Sequence, residues 1–215
     1  MKNMMLLAGC LLALCSTSAL AAEGGFYLGL HGGGVILEGV KNESREGDFN
    51  FEFDPGWLAG ATIGYDLRDT YPNIGTGRVE LEVAWRTNDL DKLEFLQPSI
   101  GASGETTVAS VMLNTIGEYR ENLPWLPYIG VGAGVARITL DNFTQGAYPL
   151  VDDEDTVFAY QFLAGFGYQV SSRVYLDLGY RYFALLDPTF TDVTGVKFDS
   201  EYATHNVTLG ARFDF

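Results

Sequence analysis

The chain has 215 residues, and its 28 acidic side chains against 13 basic ones give a net charge of −15 at pH 7, which argues against a nucleic-acid partner. Its two cysteines, Cys10 and Cys15, lie close to the start, so disulfides cannot hold the remaining chain together. No stretch after residue 21 approaches about 18 consecutive apolar residues, so the sequence predicts no membrane-spanning helix.

The first 21 residues have the pattern of a secretory signal peptide. Lys2 precedes an apolar run over residues 4–14, and Ala19 and Ala21 form a small-residue cleavage site. We therefore expect a signal peptide over residues 1–21 and a single domain over residues 22–215. The letters "LLAGC" resemble a lipobox and offer an alternative in which Cys10 is lipidated, but the apolar run before Cys10 is short.

Eight later segments alternate apolar and polar residues over about ten positions, which is typical of β-strands. They cover residues 25–37, 56–67, 77–87, 106–119, 127–140, 156–170, 173–185 and 201–215. Connections after the first, third, fifth and seventh segments are long, roughly 15 to 18 residues, and the others are shorter. This regular alternation predicts an all-β, up-and-down antiparallel fold.

The third segment shows the two faces of a strand clearly. Val79, Leu81, Val83 and Trp85 share one face, and charged residues share the other. A sandwich would bury the apolar face, whereas a membrane barrel would turn it towards lipid. The polar faces are too polar for a dry core, since they include Arg78, Glu80, Glu82, Asn114, Gln161, Asp177, Arg181, Asn206, Arg212 and Asp214. An even number of strands also closes naturally, and closure satisfies every backbone group in lipid.

Aromatic residues near the segment ends favour the membrane interpretation further. Two girdles are expected where a barrel meets the two membrane interfaces. Trp57, Trp85, Phe158, Tyr160, Tyr180 and Tyr182 would mark the long-loop side, and Trp125, Tyr168, Phe213 and Phe215 the short-turn side. We therefore predict an eight-stranded antiparallel transmembrane β-barrel.

The stretches "LPWLPYIGVGAGVA", "FAYQFLAGFGYQVS", "VYLDLGYRYF" and "HNVTLGARFDF" resemble the small OmpA-like and OmpX-like outer-membrane barrels of Gram-negative bacteria. The resemblance implies a barrel domain alone, placed in the outer membrane among lipid and lipopolysaccharide, with the short turns on the periplasmic side. It also implies that Phe215 helps the outer-membrane assembly machinery to recognise the chain.

The charged residues of the polar faces form the first candidate site. We expect a lumen network of Arg78, Glu80, Glu82, Asp177, Arg181 and Arg212. One interpretation is a gated polar pore, and the other is a salt-bridged plug. Eight strands leave an interior about wide enough for side chains alone, so the plug is favoured.

Most acidic residues fall in or beside the four long connections. The run Asp152, Asp153, Glu154 and Asp155 offers hard oxygen ligands for calcium, but its spacing matches no EF-hand loop. It is a weak metal candidate, and the acidic loops are otherwise a solvated surface. We expect no cofactor.

Three functions are compatible with this pattern. The first is a structural or adhesin-like role, in which the loops contact a host or other surface ligand. The second is a small channel for small or hydrophobic solutes. The third, a lipid-modifying enzyme, is disfavoured because His205 is followed two residues later by Val207 and not by the serine of the His-x-Ser pattern found in lipid A deacylases.

Overall fold

The structure is a computed structural model that describes residues 25–37, 40–44, 49–67, 77–94, 100–101, 103–120, 125–145 and 148–215. The predicted signal peptide and the alternative lipidation site at Cys10 lie outside these residues. The strands are β1 (Phe26–Leu37), β2 (Val40–Ser44), β3 (Phe49–Phe53), β4 (Gly56–Asp66), β5 (Gly77–Glu94), β6 (Ile100–Gly101), β7 (Ser103–Glu118), β8 (Trp125–Gln145), β9 (Tyr148–Gln169), β10 (Val174–Leu185), β11 (Thr189–Thr191), β12 (Lys197–Ser200) and β13 (Ala203–Asp214).

Eight of these strands close into one antiparallel barrel, in the order β1, β4, β5, β7, β8, β9, β10, β13 and back to β1. The closing pair runs from Tyr27 opposite Asp214 to Leu37 opposite Thr204. Each of the eight predicted segments corresponds to one barrel strand, so the predicted fold class is confirmed.

The barrel turns its apolar side chains outwards. On β5, Leu81, Val83 and Trp85 are 47%, 56% and 49% exposed, while Glu80 and Glu82 on the alternate positions are buried. The same alternation holds on the other barrel strands, so many buried charged and polar side chains lie inside the wall. We call its outer face the apolar belt, which carries exposed side chains such as Leu81, Leu113, Ile129 and Leu209. No helix in the described part of the chain is long and apolar enough to cross a membrane.

Several strands continue well beyond the apolar belt, which differs from the predicted loops. β8 ends at Gln145 and β9 begins at Tyr148, so the predicted 15-residue connection between residues 140 and 156 is mostly a β-hairpin. Its alternation is interrupted between Leu140 and Phe143, where Asn142 has a φ of 53°. Asparagine tolerates this left-handed conformation, and the irregularity hides the strand pattern in the sequence.

The first and fourth predicted loops also contain strands. β2 and β3 form one hairpin, β11 and β12 form another, and β12 pairs with β2. Because β3 also pairs with β5, these four short strands continue the barrel wall where β4, β1, β13 and β10 have ended. The wall of the barrel is therefore taller than the sequence predicted.

Candidate functional site

The lumen contains a cluster of buried charges that we call the ionic plug. It consists of Asp66, Arg78, Glu80, Glu82, Arg86, Glu118, Arg120, Arg181 and Arg212. All have nearly inaccessible side chains, because inward positions of narrow barrel strands face one another across the lumen.

The lower half of the ionic plug is centred on Glu118 near the end of the barrel that carries Phe215. Its carboxylate accepts hydrogen bonds from Arg120 and, at 2.9 Å, from Arg212, and forms an ion pair with Arg78. Arg120 also reaches Asp66 at 2.6 Å. One carboxylate thus contacts three guanidinium groups. These contacts hold together strands from different parts of the barrel wall.

Glu80 belongs to the same half of the plug. It accepts hydrogen bonds from Arg78 Nε and from the Tyr27 hydroxyl, both at 2.7 Å. The guanidinium carbon of Arg212 lies 5.3 Å from the centre of the Tyr27 ring, so cation–π contact adds to the ion pairs.

The upper half of the ionic plug is centred on Glu82. This carboxylate accepts hydrogen bonds from Arg181 and, at 3.1 Å, from Asn114, and Arg86 Nη2 lies 3.9 Å away. Gln161 donates to Asn114 at 2.7 Å, which extends the network to β9. Glu82 and Arg181 stand on β5 and β10, so their ion pair spans the lumen.

The structure brings five of the six predicted lumen residues into the ionic plug: Arg78, Glu80, Glu82, Arg181 and Arg212. Asp177 lines a nearby lumen cavity instead, and its Oδ1 has no hydrogen-bond partner among the residues that the structure describes. The predicted network did not include the other four members of the plug: Asp66, Arg86, Glu118 and Arg120. Glu118 could have been found, because it continues the inward register of its strand.

The lumen cavity beside Asp177 has a volume of about 40 Å³. It is lined by Tyr27, His31, Arg78, Arg181 and other inward residues. A single water needs about 10–15 Å³ on this measure, so the cavity has room for only a few water molecules. Among the described residues, this cavity is therefore too small for a hydrated solute.

Above the ionic plug the lumen is filled by a second, apolar cluster that the sequence interpretation did not foresee. This apolar plug comprises Val108, Met112, Ala136, Ile138, Leu140, Phe143, Val151, Ala159, Phe183, Leu185, Phe190, Phe198 and Tyr202. Phe190 and Phe198 come from the β11–β12 hairpin, which we call the hairpin lid, and their ring centres are 5.7 Å apart. The lid closes the lumen with two buried aromatic rings.

The predicted metal candidates lie along β9 and make other contacts. Asp153 and Asp155 accept the backbone N–H groups of Thr191 and Thr189 at 2.8 and 2.9 Å, which attaches the hairpin lid to β9. Glu154 pairs with the exposed Arg137, and Asp152 is exposed. Within the described ranges, no three His, Cys, Asp or Glu side chains are grouped to hold a metal ion.

The predicted aromatic girdles lie on the outer wall. Four aromatic side chains are exposed near the long-loop end, namely Trp57, Trp85, Phe158 and Tyr180, and two more are half-buried beside them, Tyr160 and Tyr182. Four others are exposed near the opposite end: Trp125, Tyr168, Phe213 and Phe215. His205 is on this outer face, where its Nδ1 lies 2.5 Å from the Tyr180 hydroxyl and its ring stacks on that tyrosine.

A closed barrel with an apolar outer wall, aromatic girdles and a charged lumen is the architecture of a transmembrane β-barrel. The outer membrane protein beta-barrel domain family matches residues 7–215, and this protein belongs to that family. It is therefore an outer-membrane protein.

Solved structures of other barrels are similar in fold. Neisserial surface protein A, from Neisseria, is 21% identical with a TM-score of 0.52, covering 90% of this chain and 100% of that one. OprG from Pseudomonas aeruginosa is 14% identical with a TM-score of 0.58, covering 88% and 96%. At these identities the likeness extends to the fold alone. No curated protein matches the sequence.

Proposed function

We propose that this protein is a closed, non-conducting barrel that acts at the cell surface through its extracellular wall, in a structural or adhesin-like role. The observation that supports this most directly is the filling of the lumen at two levels, by the ionic plug and then by the apolar plug. A channel needs a continuous aqueous path, whereas this barrel places buried side chains across its whole width.

The extracellular wall offers a suitable contact surface at one corner. Tyr148 at the tip of the β8–β9 hairpin is 75% exposed, and Val193 in the hairpin lid is 58% exposed. The two are held near each other because the Val193 N–H donates to Leu150 O at 3.1 Å. We call this pair the apolar tip. Exposed tyrosines are frequent energetic centres of protein interfaces.

Acidic residues flank the apolar tip, because Asp152 follows Leu150 by two residues and Asp192 directly precedes Val193. A partner with an apolar patch bordered by basic groups fits this surface best, because complementary charge increases association rates. Lipopolysaccharide and the assembly machinery, with Phe215 as its signal, remain predicted partners. That the protein is not an enzyme also stays a prediction.

Two measurements on the purified full-length protein test the proposal. In planar bilayers we expect no stable large conductance, and porin-like current steps would instead favour the small-channel alternative. On gels, the unboiled protein should migrate differently from the boiled protein, as expected of a closed barrel.

The surface role is tested with cells that display the protein. A trimmed variant, in which a two-residue turn replaces residues 144–150 and the paired Phe143 and Val151 of the apolar plug are kept, should keep its heat-modifiable migration and lose adhesion to cultured epithelial cells. The single substitution Tyr148→Ala should also weaken adhesion. Val170→Ser, at an exposed position near the opposite end of the barrel, is the matched control and should leave adhesion unchanged. Undiminished adhesion by a folded trimmed variant would contradict the proposal.

A further inference from the structure

Four side chains between the ionic plug and the hairpin lid carry polar atoms without hydrogen-bond partners in the described structure. These are Arg86 (Nε and Nη2), Asn88 (Oδ1), Thr106 (Oγ1) and Tyr202 (the hydroxyl). All four residues are buried, with only 0–3% of their surface exposed. Leaving a buried polar group unpaired costs about 1–3 kcal/mol, and more for a charge, so this concentration needs a physical reason.

The four side chains lie around one place in the lumen. Arg86 and Asn88 are on the same face of β5, and Asn88 is directly opposite Thr106 on β7. The Arg86 guanidinium lies 3.9 Å from the centre of the Phe183 ring, whose centre is 6.5 Å from that of Tyr202. Phe183 thus connects the three wall residues to the tyrosine.

The charge at this place is also unbalanced. Glu82 is the carboxylate that contacts both Arg181 and Arg86, so one carboxylate serves two guanidinium groups. Arg86 is the more weakly paired of the two, because it is 3.9 Å from Glu82 and otherwise donates only to Ser110 Oγ, at 2.9 Å, within the described residues. A buried positive charge without a full partner favours an anion.

The surroundings of Arg86 are apolar on the side away from Glu82. Phe183 belongs to the apolar plug, and Phe190 and Phe198 of the hairpin lid belong to the same cluster. Burial raises the pKa of the Tyr202 phenol, so that side chain stays a neutral hydroxyl available to donate or accept. The site therefore combines a cation, neutral hydrogen-bonding groups and apolar walls.

We propose that this place is a binding site for an amphipathic monocarboxylate, whose carboxylate pairs with Arg86 and whose aliphatic tail replaces the two phenylalanine rings of the hairpin lid. Two adjacent nitrogens of the guanidinium, Nε and Nη2, make no hydrogen bond within the described residues, and their fork geometry suits a carboxylate. The tail would occupy the volume that Phe190 and Phe198 fill in the closed state.

The ligand would enter from outside without crossing the membrane. The hairpin lid is attached to β9 through the carboxylates of Asp153 and Asp155 and a few backbone contacts, and to β2 through three residue pairs of β12. Both connections are shorter than the ladders that join neighbouring barrel strands. The other members of the ionic plug lie below Arg86 and stay paired. Capture at the surface is thus compatible with the proposed non-conducting barrel.

Equilibrium dialysis of octanoate against the full-length protein in nanodiscs tests the proposal, with empty nanodiscs as the partition control. We expect saturable octanoate binding, with octanol binding at least roughly tenfold more weakly because it lacks the charge. Arg86→Gln should weaken octanoate binding by about tenfold or more, and Tyr202→Phe by a smaller factor. Arg137→Gln, at an exposed arginine on the outer wall, should leave binding unchanged.

Heat-modifiable migration establishes first that each variant is folded. If Arg86→Gln does not fold, Arg86→Lys replaces it; this variant keeps the charge but loses the guanidinium fork. Arg86→Lys and Tyr202→Phe should then both weaken octanoate binding and lower the ratio of octanoate affinity to octanol affinity. The proposal is overturned if octanoate shows no saturable binding above empty nanodiscs, or if octanol binds as well. Equal octanoate binding by wild type and the folded variants at both positions overturns it too.

Discussion

Glu82→Gln is the sharpest perturbation of the ionic plug. Glu82 is fully buried, and it contacts Arg181, Asn114 and Arg86. Glutamine keeps the shape and one acceptor oxygen but removes the charge. The substitution thereby leaves two buried guanidinium groups without the carboxylate that both contact.

The expected cost follows from this arrangement. Removing one partner of a buried ion pair costs about 3–5 kcal/mol, because the remaining charge is left buried and unpaired. Glu82 is in contact with two arginines, while the retained amide preserves only the neutral contact with Asn114. We therefore expect the free energy of unfolding to fall by about 3–5 kcal/mol.

Denaturant unfolding in lipid vesicles, followed by heat-modifiable gel migration and tryptophan fluorescence, measures this change. Asp152→Asn, at an exposed acid on β9, is the matched control and should change stability by no more than about 0.5 kcal/mol. Adding Arg181→Met to Glu82→Gln should recover part of the loss, since it removes one of the two unpaired charges.

A loss below about 1 kcal/mol in Glu82→Gln would refute this reasoning. It would mean that water screens the lumen charges as it screens exposed ion pairs, which contribute about 0–1 kcal/mol. The ionic plug would then be a hydrated cluster, and its value as evidence for a closed lumen would be lost.

The remaining predictions concern the wall and the lid. Gly134→Val should lower the free energy of unfolding by about 1–3 kcal/mol in the same vesicle assay, because any side chain there would overlap the backbone of β7. Its control, Ala133→Val on the lipid-facing side, should be nearly neutral. Leu113→Arg, at a 59% exposed position on the apolar belt, should lower the free energy of unfolding in lipid vesicles by about 2–4 kcal/mol, because an arginine there would face lipid. The same substitution at a surface that faces water would cost much less, so a neutral result would contradict the outward orientation. Asp155→Ala removes the acceptor of the Thr189 N–H and should speed proteolysis within the hairpin lid while heat-modifiable migration is kept; unchanged proteolysis would show that the backbone contacts alone hold the lid.

The barrel itself was predictable because the apolar belt imposes a strict period of two. Over the belt, every second residue of a strand faces lipid, so a register such as Arg78, Val79, Glu80, Leu81 and Glu82 can be read directly from the sequence. Periodicity does not say which face points inwards. The excess of charged residues on one face does, because a dry core would not accommodate them.

The upper wall could not be predicted in the same way. Beyond the belt the outer face meets water, so both faces of β9 can be polar and the alternation disappears. Asp153 and Asp155 face inwards there and bind backbone N–H groups of the lid, yet in the sequence they look like part of an acidic loop. The apolar plug was missed for a related reason, since Phe190 and Phe198 stand on very short strands.

Pairing within the ionic plug depends on the closure of the barrel more than on any local pattern. Glu118 and Arg212 are on β7 and β13, which are not adjacent in the wall, and they meet only across the lumen. Strand periodicity predicts that both point inwards, but the height at which each side chain crosses the lumen is set by the stagger of all eight strands. The sequence therefore predicts the members of such a network more readily than their partners.

The two plugs differ in how much must be broken to open them. Opening the ionic plug would separate several buried ion pairs that join non-adjacent strands, at about 3–5 kcal/mol for each charge left unpaired. The hairpin lid is joined to β9 by single hydrogen bonds such as Thr189 to Asp155, and each of these is worth about 1 kcal/mol or somewhat more with a charged acceptor. Its other edge pairs with β2 over only three residue pairs of β12, so opening the lid also breaks this short ladder of backbone hydrogen bonds. Thermal opening should therefore begin at the lid and stop above Glu82, which exposes Arg86 to an external ligand while the path to the periplasm stays closed.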